Sequence, residues 1–227
     1  MFPFHASAQR RDRNEQIALV KHIVGGARHA YLRWSMLNDR SSILSLLETR
    51  RSAKPRELVG PGPTAAELER MLAIAARTPD HGKLHPWRFV IVGDDQRDAF
   101  GTLLREAVVE HDPCTTIAHH KKEDEFAHYA GQLVVVVSAP AANHKIPVWE
   151  QELSCGAAAM NLLLAAHALG YVAGWVTGWR AYSERVRAAF CEPGERIAGF
   201  VFIGEASRDL EDRPRPELSD VVRNWQP

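Results

Sequence analysis

The sequence predicts an α+β protein, and three observations carry that expectation. About four internal β-rich runs are interspersed with amphipathic helical stretches, one long central helix is apolar nearly all round, and the last stretch is proline-stiffened and extended. At 227 residues, 45% hydrophobic and 25% charged, the chain can bury the core of one domain plus appendages.

Residues 1–40 read as an N-terminal arm, set apart from a domain over 41–227. Arg10, Arg11 and Arg13 cluster early, weak helical periodicity follows, and Gly25-Gly26 breaks it. Asp12 and Glu15 argue against an acid-poor transit peptide, and no long apolar core follows the early charges as a secretory signal would need. From Ser41 the pattern sharpens. Ser41 or Ser42 can N-cap a helix whose Ile43, Leu44, Leu46 and Leu47 form one apolar face, and Pro55 to Pro63 is a loop. Thr64 and Glu67 make a capping box for the next helix, which turns Leu68, Met71, Leu72 and Ile74 inward. It ends near Thr78, because Pro79 drives the preceding residue out of the α region.

Phe89 to Gly93 then reads as a strand, and Gln96 to His111 as a helix that buries Phe100, Leu103, Leu104 and Val108. Asp112 to Glu125 reads as polar and irregular. Gln132 to Val137 is a continuous β-branched run, the mark of a strand buried on both faces. Trp149 to Leu169 is the long apolar helix. Its Gly156, Ala157, Ala158, Ala159, Ala165 and Ala166 would let another backbone come close, and a second subunit is the economical cover for it. A strand over Tyr171 to Val176, a short helix over Tyr182 to Phe190 and a strand over Arg196 to Gly204 complete the domain. Arg213 to Val222 reads as an arm rather than core.

Several function classes drop out. A formal net charge of +0 makes no electrostatic case for nucleic acid or a membrane surface, and no apolar run is long enough to span a bilayer. Cys114, Cys155 and Cys191 form no C-x-x-C pair, which fits a reducing cytoplasm better than a disulfide framework. Gly60 to Ala65 matches G-x-G-x-x-A formally, but no strand precedes it and its prolines remove N–H groups that would hold a pyrophosphate. His119, His120 and His128 lack a fourth ligand at a zinc spacing, and Cys155 sits in an apolar helix as a core residue would. No G-x-S-x-G elbow is present, and Glu150 and Glu152, two apart on a helix, do not face each other as an acid/base pair.

What remains is a set of basic loops: Arg50-Arg51-Ser52 with Lys54, Arg77 with His81, and Arg213 with Arg215. Guanidinium forks suit a terminal phosphate. Arg77 to Phe89 is the richest, with five cationic or imidazole side chains between helix and strand. Gly174-Trp175-Val176-Thr177-Gly178, a turn after a strand, could bring backbone close to a flat ring. A solvated helix end is the plain alternative for each basic pair, and a core tryptophan for the turn.

Together these motifs resemble the FMN-dependent NAD(P)H nitroreductases, from about Ser41 to the C-terminus. The carriers are R-R-S after an amphipathic helix, A-R-T-P-D-H-G-K-L-H-P-W-R-F, the W-E-Q-E-L-S-C-G helix and G-W-V-T-G; the P-D-H and W-E-Q-E forms look like the small single-domain subgroup. Many relatives carry Ser and Asn at Asp80 and Lys83. The resemblance implies a mixed, mainly antiparallel sheet flanked by helices, in an intertwined homodimer with FMN at the interface. It implies that Arg50 and Ser52, with Arg51 beside them, meet the FMN phosphate and ribityl chain. Lys54 would lie at the flavin N1–C2=O edge, where a cation stabilises charge on the reduced ring. Arg77 and His81 would approach from the other subunit, Trp175, Val176 and Thr177 would pack on the ring, and Arg213 and Arg215 would reach the phosphate. Ala165 to Gly170 corresponds to a region sometimes assigned to NAD(P). The implied activity passes hydride from NAD(P)H through flavin N5 to an electron-poor small-molecule acceptor, a nitroaromatic or quinone, in a ping-pong cycle. A related flavin enzyme (an enone reductase or oxidase), a flavin-binding protein without turnover and a plain structural dimer are the alternatives.

Overall fold

A computed structural model describes residues 36–226; most of the expected N-terminal arm lies outside them. One compact unit spans Leu37–Glu211. Its sheet holds β1 (Leu58–Val59), β2 (Trp87–Val92), β3 (Gln132–Ser138), β4 (Val172–Val176) and β5 (Arg196–Ala206). The order is β1-β5-β3-β2 with β4 also on β5, and every pairing among the described residues is antiparallel. The α+β class with a mainly antiparallel sheet therefore stands.

The centre of the sheet shows why an unbroken apolar run makes a strand here. Side chains alternate across a strand, so in β3 Leu133, Val135 and Val137 join one core while Val134 and Val136 join the other. In β5, Phe200 and Phe202 face the first core, and Val201 and Ile203 the second. Phe126 meets Phe200 and Phe202 edge-on at centroid distances of 5.6 and 5.2 Å, the arrangement ring quadrupoles favour. Burying each such side chain contributes roughly 1.5–3 kcal/mol.

Helices cover both faces. α1 (Ile43–Thr49) starts at Ser42, whose hydroxyl accepts from Ser45 N. α2 (Ala65–Ala75) begins with the expected Thr64/Glu67 capping box. α3 (Arg97–His111) follows β2, and α4 (Ile117–Ala127) follows α3. α5 (Val148–Ala168) is the long apolar helix, packed on the second core. The one-turn α6 (Trp179–Tyr182), not among the expected elements, precedes α7 (Glu184–Phe190), the short helix expected over Tyr182–Phe190; Ser183 starts α7, leaving the α region and accepting from Val186 N.

α4 corrects the expectation of an irregular 112–125. Its sequence is charged on most faces, so it carries little amphipathic signal. It buries Phe126 and Ala127, and also Glu123, which Arg180 clamps with bonds of 2.5 and 2.7 Å. Its last carbonyl, Ala127 O, accepts from buried Arg97 at 3.0 Å, a cation at a helix C-terminus. Tertiary partners, not periodicity, make this helix.

From Asp212 on, the chain belongs to a separate unit. It carries a short helix, α8 (Leu218–Val221), in an otherwise extended, exposed segment. No helix among the described residues is long and apolar enough to cross a membrane.

Candidate functional site

The Arg50–Lys54 loop is held from both sides. Asn38 accepts from Arg51 N at 2.8 Å and donates to Arg51 O at 3.1 Å, tying the loop to the start of the unit. On the other side, a Cβ added at Gly174 of β4 would lie 2.5 Å from Ala53 O, so the loop rests directly on that strand. Arg50 donates to Ser52 Oγ at 3.1 Å, joining the two side chains expected at a phosphate. Arg51 turns away, donating to Glu211 O and Ser52 O, each at 2.8 Å. Lys54 is exposed, 3.6 Å from Glu57, which Arg208 also engages.

Arg50 lies close enough to His167, near the end of α5, to act on it. His167 is fully buried with no hydrogen-bond partner on either ring nitrogen. Burial first, and the Arg50 guanidinium second, push its pKa down to about 4 against a weaker pull from the Tyr171 backbone. A neutral imidazole thus sits behind a cation. Ala165 and Ala166 are buried with it, so their side chains offer nothing to a nicotinamide cofactor.

β4 adjoins the loop through Gly174. The strand runs on through Val176, so the expected turn is confined to Thr177 and Gly178. Trp175 is pinned, its indole donating to Ala198 O at 3.0 Å. Ala198 is the extra residue where β5 slips register between Val136 and Val137, and the indole lies against Gly199 with no room for a Cβ. The ring is held at the sheet edge, 37% exposed, with Thr177 exposed beyond it.

Arg77 and His81 lie elsewhere. Their loop is fastened to α5 by Ser154, which donates to Pro79 O at 2.6 Å, and by Asn161, which donates to Thr78 Oγ1 at 2.7 Å. His81 Nδ1 is 2.8 Å from Glu150 Oε2 at the first turn of the same helix. Asp80 closes the loop from inside, accepting from Leu84 N at 3.1 Å and His85 N at 2.9 Å, while Gly82, Lys83 and His85 all take positive φ. Left-handed backbone at two side-chain-bearing residues is strained, and strain of this kind gathers at functional loops.

The structure therefore joins Arg50, Ser52 and the Trp175–Thr177 strand through the approach of Ala53 to Gly174, and holds His81 at the other end of α5. Ser154 and His167 are thirteen positions apart in α5, about 20 Å along the axis. Arg213 and Arg215 lie in the separate C-terminal segment, where Arg215 pairs with Asp212 at 3.0 Å. Sequence reasoning missed Glu150 as the partner of His81, and missed Gln151, Ser154 and Asn161 as loop holders. Polar residues on one face of an otherwise apolar helix were the available signal. His128 lies between Asp98 and Asp124, and no group of three metal-ligating side chains forms among the described residues.

Comparison with known proteins agrees with this architecture. The Nitroreductase family profile matches residues 47–205. A Haemophilus influenzae protein named as a candidate NAD(P)H nitroreductase is 38% identical over 172 residues, covering 74% of this chain and 90% of its own. Among solved structures, the nitroreductase-like family protein from Bacillus cereus superimposes with a TM-score of 0.69 at 19% identity, covering 82% of this chain and 97% of that one. A point mutant of the FMN and NADPH-dependent nitroreductase NfnB from Sphigopyxis sp. strain HMH gives 0.63 at 20% identity, covering 82% and 99%. The solved structures share the fold, and with the profile spanning β1 to β5 the chain belongs to the nitroreductase family.

Proposed function

We propose that this protein is an FMN-dependent oxidoreductase that takes hydride from NAD(P)H and passes it to an electron-poor acceptor, a nitroaromatic or quinone, in a ping-pong cycle. The observation that carries the proposal is the distance along α5. Arg50 acts on His167, while the Arg77–His81 loop is held at Thr78 by Asn161, about 9 Å along the helix from His167, and at Pro79 and His81 by Ser154 and Glu150, about 20 Å or more along it. The distance of His81 from His167 along α5 supports a site that His81 closes from the partner of a homodimer. Exposed apolar side chains support a partner. Trp149 and Leu153 on α5, and Ile43, Leu44 and Leu47 on α1, are 53–81% exposed, large apolar side chains that a partner could cover.

The donor set fits FMN. Arg50 and Ser52 would hold the phosphate, with Arg51 bracing the loop through backbone carbonyls, Lys54 would face the N1 edge, and Trp175, Val176 and Thr177 would cover one ring face. Arg77 and His81 of the partner subunit would close the other side. FMN supplies the two-electron chemistry; the chain supplies position, positive charge and exclusion of water. NfnB, described as FMN and NADPH-dependent, and the H. influenzae relative, named for NAD(P)H, support this assignment. The test is optical. Purified protein is expected to be yellow, dimeric, and bleached anaerobically by NADPH; colourless protein that gains no flavin absorbance on adding FMN would refute it.

A further inference from the structure

In the Ala165–Gly170 segment Ala165, Ala166 and His167 are buried, and the more accessible Ala168, Leu169 and Gly170 carry no polar side chain, so the segment offers no cationic side chain to the donor's diphosphate. Two loops stapled together near the start of α5 provide one. Gln151, 2% exposed, closes the loop before the helix by accepting from Ala141 N at 2.8 Å and donating to Ile146 O at 3.0 Å and Ala141 O at 3.3 Å. That loop presses on the His81 loop: a Cβ at Gly82 would meet Ile146 Cδ1 at 2.4 Å and His144 Cε1 at 3.9 Å. The residues beside this contact are Lys83 and Lys145, both exposed, and neither forms an ion pair among the described residues.

The nearby carboxylates are already engaged. Asp80 spends both oxygens on Leu84 N and His85 N, Glu150 is bonded to His81, and Glu152 pairs with Arg196 at 3.0 Å. His144 Nδ1 accepts from Ile146 N at 3.2 Å, which leaves its Nε2–H as an outward donor. The positive φ at Gly82, Lys83 and His85 sets this lip in one shape before any ligand arrives. Unpaired ammonium groups and a free imidazole N–H on a rigid rim suit a phosphate-rich chain, because charged hydrogen bonds outweigh neutral ones and preorganisation lowers the cost of forming them.

We propose that Lys83, Lys145 and His144 form the seat for the diphosphate of the nicotinamide donor, beside the His81 that closes the flavin site. This rests on the proposed function, since it takes the His81 loop to lie at the flavin. The test compares wild type with the Lys83→Ala/Lys145→Ala double variant using two donors, NADPH and 1-benzyl-1,4-dihydronicotinamide, which has no phosphate. The expected result is a fall of at least about tenfold in the ratio of kcat/KM for NADPH to that for the benzyl donor, the scale of one charged hydrogen bond. The loss should shrink as added salt screens the wild-type contact. An unchanged ratio would overturn the proposal, whether both rates hold or both fall together. Calorimetric titration with ADP-ribose separates the two readings. If the protein oxidises neither donor but binds ADP-ribose, and the double variant binds it at least tenfold more weakly, the seat stands and the flavin assignment fails. Equal binding by both proteins removes the seat whatever the flavin does.

Discussion

Gly174→Ala tests whether the Arg50–Lys54 loop depends on β4. The added methyl would sit 2.5 Å from Ala53 O, where a carbon–oxygen contact needs about 3.3 Å, so the loop must move by roughly 0.8 Å. The obstacle is backbone and no side chain can swing aside. Overpacking of this kind costs about 1–3 kcal/mol, which for a chain of this size is a fall in Tm of roughly 2–12 °C. Ala53 lies between Ser52 and Lys54, so the displacement passes to the groups proposed to hold the phosphate. Loss of one charge-assisted bond there corresponds to about 10- to 100-fold in affinity. Thermal unfolding of the FMN-free protein and fluorescence titration with FMN measure the two effects separately. A variant that melts at the wild-type temperature and binds FMN as tightly would show that the strand does not support the loop.

Three further outcomes are expected. Glu123→Ala leaves Arg180 largely buried without its carboxylate, since the side chains are 5% and 16% exposed, and should cost about 3–5 kcal/mol in chemical unfolding; a change under about 1 kcal/mol would contradict the clamp. His167 takes up its proton near pH 4 when folded and near 6.5 otherwise, so its contribution is complete above pH 6.5 and declines as pH falls from there through 4, by about 3 kcal/mol. His167→Leu should flatten that part of the stability profile, and an equally steep profile would count against a buried neutral ring. In thiol titration of the native protein, exposed Cys114 should react first and Cys155, its pKa pushed up to about 11 by burial, only on unfolding.

The elements that local chemistry dictates were legible in the sequence. The Thr64/Glu67 capping box, the apolar run Leu133–Val137 of β3 and the long α5 follow from patterns spanning a few residues. α4 was not legible, because its buried Glu123 and Phe126 are explained by Arg180, more than fifty residues away. The basic loops were visible as candidates, yet nothing in their spacing shows that Arg51 turns to backbone carbonyls while Arg50 faces Ser52. The role of Asp80 was hidden for the same reason: its carboxylate looks like a surface charge until the loop folds around it.

The central claim, a site shared between two protomers, is tested most directly by subunit complementation. Arg50→Ala and His81→Ala homodimers should each bind FMN poorly. A heterodimer carrying one subunit of each, isolated through two different affinity tags, contains one site with both residues intact if the site is shared. The account predicts one tightly bound FMN per heterodimer, with NADPH oxidation near half the wild-type rate. A heterodimer that binds no more FMN than either parent would contradict it, because both defects would then lie in self-contained sites.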